Sequence, residues 1–167
     1  GPGESGRLME LRIGQAFDAH RFAAAVDPAR PLKLALLTFP DHVALVGHSD
    51  GDVAAHALAD ALLGAADLGD LGTNFGVDRP EYQGASGQVL LAEVRGMLDG
   101  AGWQLVNATV QVIGQTPRLA PHYHQAAQAL SEVVGGPVSF GATTTDRMGF
   151  TGAKEGLAAS ACCLLQR

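Results

Sequence analysis

The alternation of apolar and polar positions divides the chain into short strands and amphipathic helices. LRIGQAF (11–17) reads as a first strand; after a loop marked by Asp27-Pro28 and Pro31, LKLALL (32–37) and VALVG (43–47) read as two more. Segment 49–72 has an Ala/Leu-rich centre at helical spacing, with Ser49 or Asp50 as an N-cap and Gly69 and Gly72 as a stop. Residues 73–87 lack periodicity and are expected to form a turn-rich loop of the kind that often carries function. A second helix is predicted over 87–102, a strand over 103–114, and a third helix over about 118–134, ended by Gly135-Gly136-Pro137. Two last strands, 138–145 and 156–165, flank a glycine-rich loop. The expected fold class is therefore α+β: a single domain over 9–167, with a mixed β-sheet and helices on one face. Residues 1–8 carry no pattern and are expected to be an expression remnant or a disordered N-terminus.

Composition adds two constraints. Only 17% of residues are charged, against about 25% in an ordinary soluble domain, which suggests that a second subunit covers part of the surface. The net charge is -6 with no Lys/Arg cluster, so nucleic acid is not an expected partner; bound phosphates would need metal ions, backbone N–H groups or a few placed cations. The only cysteines, Cys162 and Cys163, are adjacent. They are expected to be small buried hydrophobes in a reducing cytoplasm. No apolar run is long enough for a membrane span.

The first chemical signal is Asp18-Ala19-His20 at the end of the first strand. The side-chain period of two puts Asp18 and His20 on one face, where together they can grip a cation. The second is HSDGDVAAHALAD (48–60), with His48, Asp52, His56 and Asp60 four residues apart. On a helix these share a face, which fits His56 as a metal ligand whose second ring nitrogen is oriented by Asp60 or Asp52. Asp18, His20 and His56 suit a zinc ion and leave a fourth tetrahedral position open, as in catalytic sites. The third signal is GATTTDRMGFTGAKEG (141–156). Its threonine hydroxyls and glycine backbone can approach a phosphate, and Asp146 is placed to hold Mg²⁺ or Mn²⁺. His42, His122 and His124 have no partner spacing and are expected at surface or capping positions.

FDAH (17–20), GHSDGDVAAHALADALLGAADLGDLG (47–72) and GATTTDRMGFTGAKEGLA (141–158) together resemble the 2-C-methyl-D-erythritol 2,4-cyclodiphosphate synthase family of the non-mevalonate isoprenoid pathway. The resemblance runs from about Arg12 to the C-terminus. It implies a lyase that closes 4-diphosphocytidyl-2-C-methyl-D-erythritol 2-phosphate into a cyclic diphosphate and releases CMP. It also implies a homotrimer around a central axis, with active sites at subunit interfaces. By matching positions, Asp18, His20 and His56 are implied as zinc ligands and Asp146 as the magnesium ligand, with His48 and Thr144 as the catalytic pair. Substrate contacts are implied for Asp18, Ala19, His20, His48, Ser49, Asp70, Leu71, Gly72 and Phe150. Pro117, Arg118, Leu119, Thr143, Thr144, Thr145 and Asp146 are implied at the cytidine diphosphate end. Three departures stand out: Asp146 where the family often has Glu, Gly76-Val77 after Phe75, and Ala153-Lys154 where the family commonly has Arg. Two other readings are open at this level: a zinc phosphohydrolase that activates water, and a non-catalytic oligomer braced by zinc.

Overall fold

The computed structural model describes residues 8–167; the N-terminal remnant expected at 1–8 lies outside them except for Leu8. Strand β1 (Leu11–Arg21) is longer than the apolar pattern suggested and carries Asp18 and His20 within it. It lies at the edge of a four-stranded sheet of order β1-β6-β4-β5, with β6 (Gly156–Gln166), β4 (Gln104–Ile113) and β5 (Val138–Thr143). Only β4 and β5 run parallel, joined by helix α4 (Tyr123–Val134) as a crossover; the other neighbours are antiparallel. The fold is the expected α+β domain with a mixed sheet.

Helix α1 (Val53–Ala66) packs on β1 and β6, α4 packs on β5, and α3 (Gly87–Gly100) packs against both helices. One core joins them, including Leu58, Leu62, Leu91, Leu130 and Leu165, all fully buried. Alternation in β1 turns Gly14, Ala16, Asp18 and His20 towards α1 and leaves Ile13 and Phe17 exposed on the opposite face. Gly14 is essential to the spacing, because a Cβ there would collide with the Ala61 carbonyl oxygen. Small residues on both sides, Ala57, Ala61 and Ala65 on the helix, let α1 ride close to the strand.

Several expected boundaries change. Residues 32–37 form a hairpin rather than one strand: β2 (Leu32–Leu34) turns through Ala35 and Leu36, both at positive φ, into β3 (Leu37–Phe39). The expected strand at 43–47 is a single bridge between Leu45 and Phe22, because its neighbour β1 ends just before that point. Helix α1 starts later than expected, capped by Asp52 rather than Ser49 or Asp50, and stops at Ala66, where Asp67 takes a left-handed conformation. Residues beyond Gly69 start a separate short helix, α2 (Leu71–Phe75), capped by Asp70. The predicted loop 73–87 therefore begins inside a helix and contains a 3-10 turn, Pro80–Tyr82. The last predicted helix begins at Tyr123, after another 3-10 turn, Ala120–His122. A fifth short helix, α5 (Gly149–Gly152), interrupts the glycine-rich loop. Of the two cysteines only Cys163 is buried, donating its thiol to the Ala61 carbonyl with its pKa pushed up to about 11 by burial. Cys162 is exposed, because neighbours in a strand face opposite sides.

Candidate active site

Close packing of α1 on β1 brings His56 onto the pair Asp18 and His20. His20 Nε2 lies 2.9 Å from Asp18 Oδ2, His56 Nδ1 lies 3.2 Å from the same oxygen, and the two nitrogens are 3.1 Å apart. Ligands about 2.0–2.1 Å from a tetrahedral ion sit about 3.3 Å from one another, so the triangle has the size of one face of a zinc polyhedron. These three residues are the only His/Cys/Asp/Glu group of that kind among the described residues.

The far ring nitrogens fix what the near ones offer. His20 Nδ1 lies 2.9 Å from the Val46 carbonyl oxygen. A carbonyl only accepts, so the hydrogen is on Nδ1 and the Nε2 lone pair faces the cluster. His56 Nε2 lies 2.6 Å from Ser49 Oγ; with Ser49 accepting that hydrogen, His56 Nδ1 also presents a lone pair. Two lone pairs and a carboxylate then converge on one point, an arrangement that a cation relieves. With no cation bound, protons take its place: burial raises the pKa of Asp18, but hydrogen bonds and charge from His20 and His56 in their protonated forms outweigh it and bring the carboxyl down to about 2. Burial depresses His56, yet the Asp18 hydrogen bond and charge, with Asp52 and Asp50 behind, leave its pKa raised. The site is ionised and draws positive charge.

The expected orienting acids are not at the His56 ring. Asp52 is wholly buried and accepts from the backbone N–H groups of Ala35 (2.9 Å), Leu36 (2.9 Å) and Ala55 (3.1 Å). It clamps the positive-φ hairpin turn onto the start of α1, and burial raises its pKa despite these donors. Asp60 accepts from Leu71 N–H at 2.7 Å and so holds the start of α2; burial raises its pKa as well. The spacing of four misleads because α1 starts at Val53: His48 is off the helix and Asp52 is its cap. Ser49 takes the orienting role instead, a contact across seven residues that the sequence pattern does not reveal.

A cavity of about 270 Å³ opens beside the cluster, lined by Asp18, His20, His48, Ser49, His56, Asp60, Leu71 and Gly72 among others. His48 Nε2 is buried with no hydrogen-bond partner among the described residues, an orphan polar atom at a cavity wall. Asp70 does not line this cavity; it is exposed and forms a capping box with Thr73, whose backbone N–H lowers the Asp70 pKa. A second cavity of about 400 Å³ is lined by Gln115, Thr116, Pro117, Arg118, Leu119, Tyr123, Thr143 and Thr144 among others. Thr145 donates to the Met148 carbonyl at 2.7 Å and bonds Thr151 Oγ1 at 3.0 Å, so its hydroxyl is engaged within the loop. Asp146 is exposed at φ 53°. Ala19 and Phe150 lie on a third, smaller cavity with Arg21 and Glu155. The two larger cavities share no lining residue, so one chain presents the expected site as two separate halves.

The YgbB family model matches residues 11–166. A 2-C-methyl-D-erythritol 2,4-cyclodiphosphate synthase of Cutibacterium acnes is 50% identical over 161 residues, 96% of this chain and 94% of the relative. Among solved structures, a 2C-methyl-D-erythritol-2,4-cyclodiphosphate synthase in its CDP-bound form is similar with a TM-score of 0.80 and 34% identity, covering 92% of this chain and 99% of the other. The bifunctional IspDF of Campylobacter jejuni is similar with a TM-score of 0.83 and 31% identity over 95% of this chain; the chain spans 43% of that longer protein.

Proposed function

The chain belongs to the YgbB family, and we propose on that premise that it converts 4-diphosphocytidyl-2-C-methyl-D-erythritol 2-phosphate into 2-C-methyl-D-erythritol 2,4-cyclodiphosphate and CMP, in isoprenoid biosynthesis. The observation that carries this reading is the convergence of Asp18, His20 and His56, at one tetrahedral face, on the wall of a cavity with the orphan His48 Nε2. Asp18, His20 and His56 would hold Zn²⁺, and Asp146 would hold Mg²⁺ or Mn²⁺ together with substrate phosphates. Bound there, such cations polarise phosphoryl oxygens and neutralise the charge that builds up on them.

The substrate's 2-phosphate oxygen attacks the β-phosphorus, a new P–O bond closes the ring, and the bond from that phosphorus to the bridging oxygen breaks to release CMP. The nucleophile is already ionised near neutral pH, so the chain needs no strong base. Its residues work by positioning and by donating hydrogen bonds. Ser49 and the Val46 carbonyl lock the two imidazoles. Asp60 and Asp70 fix the Leu71–Gly72 turn at the cavity wall. His48 and Thr144 would donate to the developing phosphoryl charge, and Ser49 would add a contact at the methylerythritol end. The cavity lined by Pro117, Arg118, Leu119, Thr143 and Thr144 would take the cytidine diphosphate, as the similar structure's CDP-bound form supports. Thr145 and Asp146 would contribute from the adjoining loop, and Ala19 and Phe150 from the third cavity.

A homotrimer would join the two halves, with one subunit's metal cavity meeting its neighbour's nucleotide cavity. Two features support it: the separation of the cavities in one chain, and a sheet face left uncovered with Ile13 80% and Phe17 61% exposed. No helix among the described residues is long and apolar enough to cross a membrane, and the unpaired cysteines suit the cytoplasm. Phosphorus NMR of the substrate incubated with protein and Mg²⁺ tests the reaction. A cyclic diphosphate with CMP is expected, whereas linear phosphate products would establish a hydrolase and sink the cyclase.

A further inference from the structure

His42 lies outside both cavities, yet both of its ring nitrogens are engaged. Nδ1 is 2.8 Å from the Val43 carbonyl oxygen and Nε2 is 2.7 Å from Thr116 Oγ1. The carbonyl can only accept, so Nδ1 carries the hydrogen and Nε2 takes the hydrogen of the Thr116 hydroxyl. The ring is braced by Phe22, 5.3 Å away between centroids, and the His42 backbone N–H donates to the Phe39 carbonyl. The segment that carries it is tied to the end of β1 through Ala23 to Ala44 and Val46 to Arg21. His42 therefore stands on a fixed base and reaches 74 residues along the chain to the loop that lines the larger cavity. Beyond the Gly114 N–H bonded to Thr143, that loop has no backbone ladder until its 3-10 turn. Beside Thr116, the buried Gln115 Oε1 has no partner among the described residues.

We propose that His42 is a positioning residue for the nucleotide half of the site. By holding the Thr116 hydroxyl it sets the Gln115–Arg118 wall of the cavity. The inference rests on the reading of this cavity as the cytidine diphosphate end.

The test uses the zinc-loaded enzyme, titrated calorimetrically with CDP and assayed for KM and kcat. A neutral side-chain hydrogen bond is worth about 0.5–1.5 kcal/mol, so H42A should weaken CDP and raise KM by about 3- to 10-fold. Zinc content and kcat should hold to within about twofold. T116V, nearly isosteric, should reproduce the loss and keeps the test decisive if H42A unfolds. The double variant should be no worse than either single one, since both remove the same bond. H42Q, whose amide can still meet the hydroxyl, should restore most of the affinity. Unchanged CDP affinity in T116V, or additive losses in the double variant, would overturn the inference while leaving the function intact. Wild-type enzyme that binds no CDP would overturn the inference together with the reading of the cavity.

Discussion

The two halves proposed for the site, one for the metal and one for the nucleotide, are built by opposite means. Asp18 and His20 sit inside an eleven-residue strand, and His56 sits one turn into a fourteen-residue helix. Their separation is fixed by backbone contact at Gly14 and Ala61, and each ring is pinned at its far nitrogen. The proposed nucleotide half is carried by loops: among the described residues Gln115–Arg118 hangs from one side-chain bond, and Asp146 and Arg147 both take left-handed backbone. Met148 and Phe150 in the same stretch are exposed at 67% and 44%. A small cation needs ligand atoms placed within a few tenths of an ångström, which regular elements supply. A long flexible substrate needs a wall that adapts, and loops on a rigid scaffold supply that.

This contrast can be broken or sharpened by substitution. The largest effect is expected for His56→Ala. Metal analysis should find zinc lost, and kcat should fall on the order of a thousandfold, the several kcal/mol that a bound metal contributes, while circular dichroism stays native. Full cyclase activity in zinc-free H56A would remove the metal half from the mechanism. An unfolded H56A or zinc-free wild-type protein would instead support zinc as a brace.

Ser49→Ala comes next. It frees the His56 ring without touching the ligand set, and zinc affinity, measured by competition with a chelator, should drop about 10- to 100-fold. An unchanged affinity would mean that backbone packing alone aligns His56. Gly14→Ala attacks that packing instead. The new methyl must push α1 from β1, so chemical denaturation should show a loss of about 1–3 kcal/mol, with zinc weakened in parallel.

The smallest effect is expected in the other half. Asp146→Glu lengthens an exposed side chain, so stability should change by less than about 0.5 kcal/mol. The Mg²⁺ concentration for half-maximal activity should move only a few fold, in the direction of tighter binding. A large loss of stability in this variant would show that the loop is as rigid as the metal half and erase the contrast.

Much of the metal half was legible along the chain. Asp18 and His20 lie two apart on a strand, and the period of two places them on one face without any knowledge of the fold. The 48–60 block pointed to His56 through its composition, yet it misassigned the acids around it. Asp52 and Asp60 both turned to backbone N–H groups, of a hairpin 16 residues away and of the next helix. A buried carboxylate goes to whichever donors the packing leaves unpaired, and those lie elsewhere in the sequence. The short strands failed for a related reason: 32–37 is apolar because it is covered, and periodicity cannot separate a strand from a covered turn, while at 43–47 only Leu45 is buried.

By itself the sequence determined the long strands and helices, the candidate cluster Asp18, His20 and His56 and, through its motifs, the family. Those depend on local period and on residue chemistry. The tertiary structure alone decided that Ser49 rather than an acid holds His56, that His42 holds Thr116, and that one chain keeps the two cavities apart. Each of these is set by how closely α1 rides on β1 and by where loops meet, distances that arise only once the core has packed.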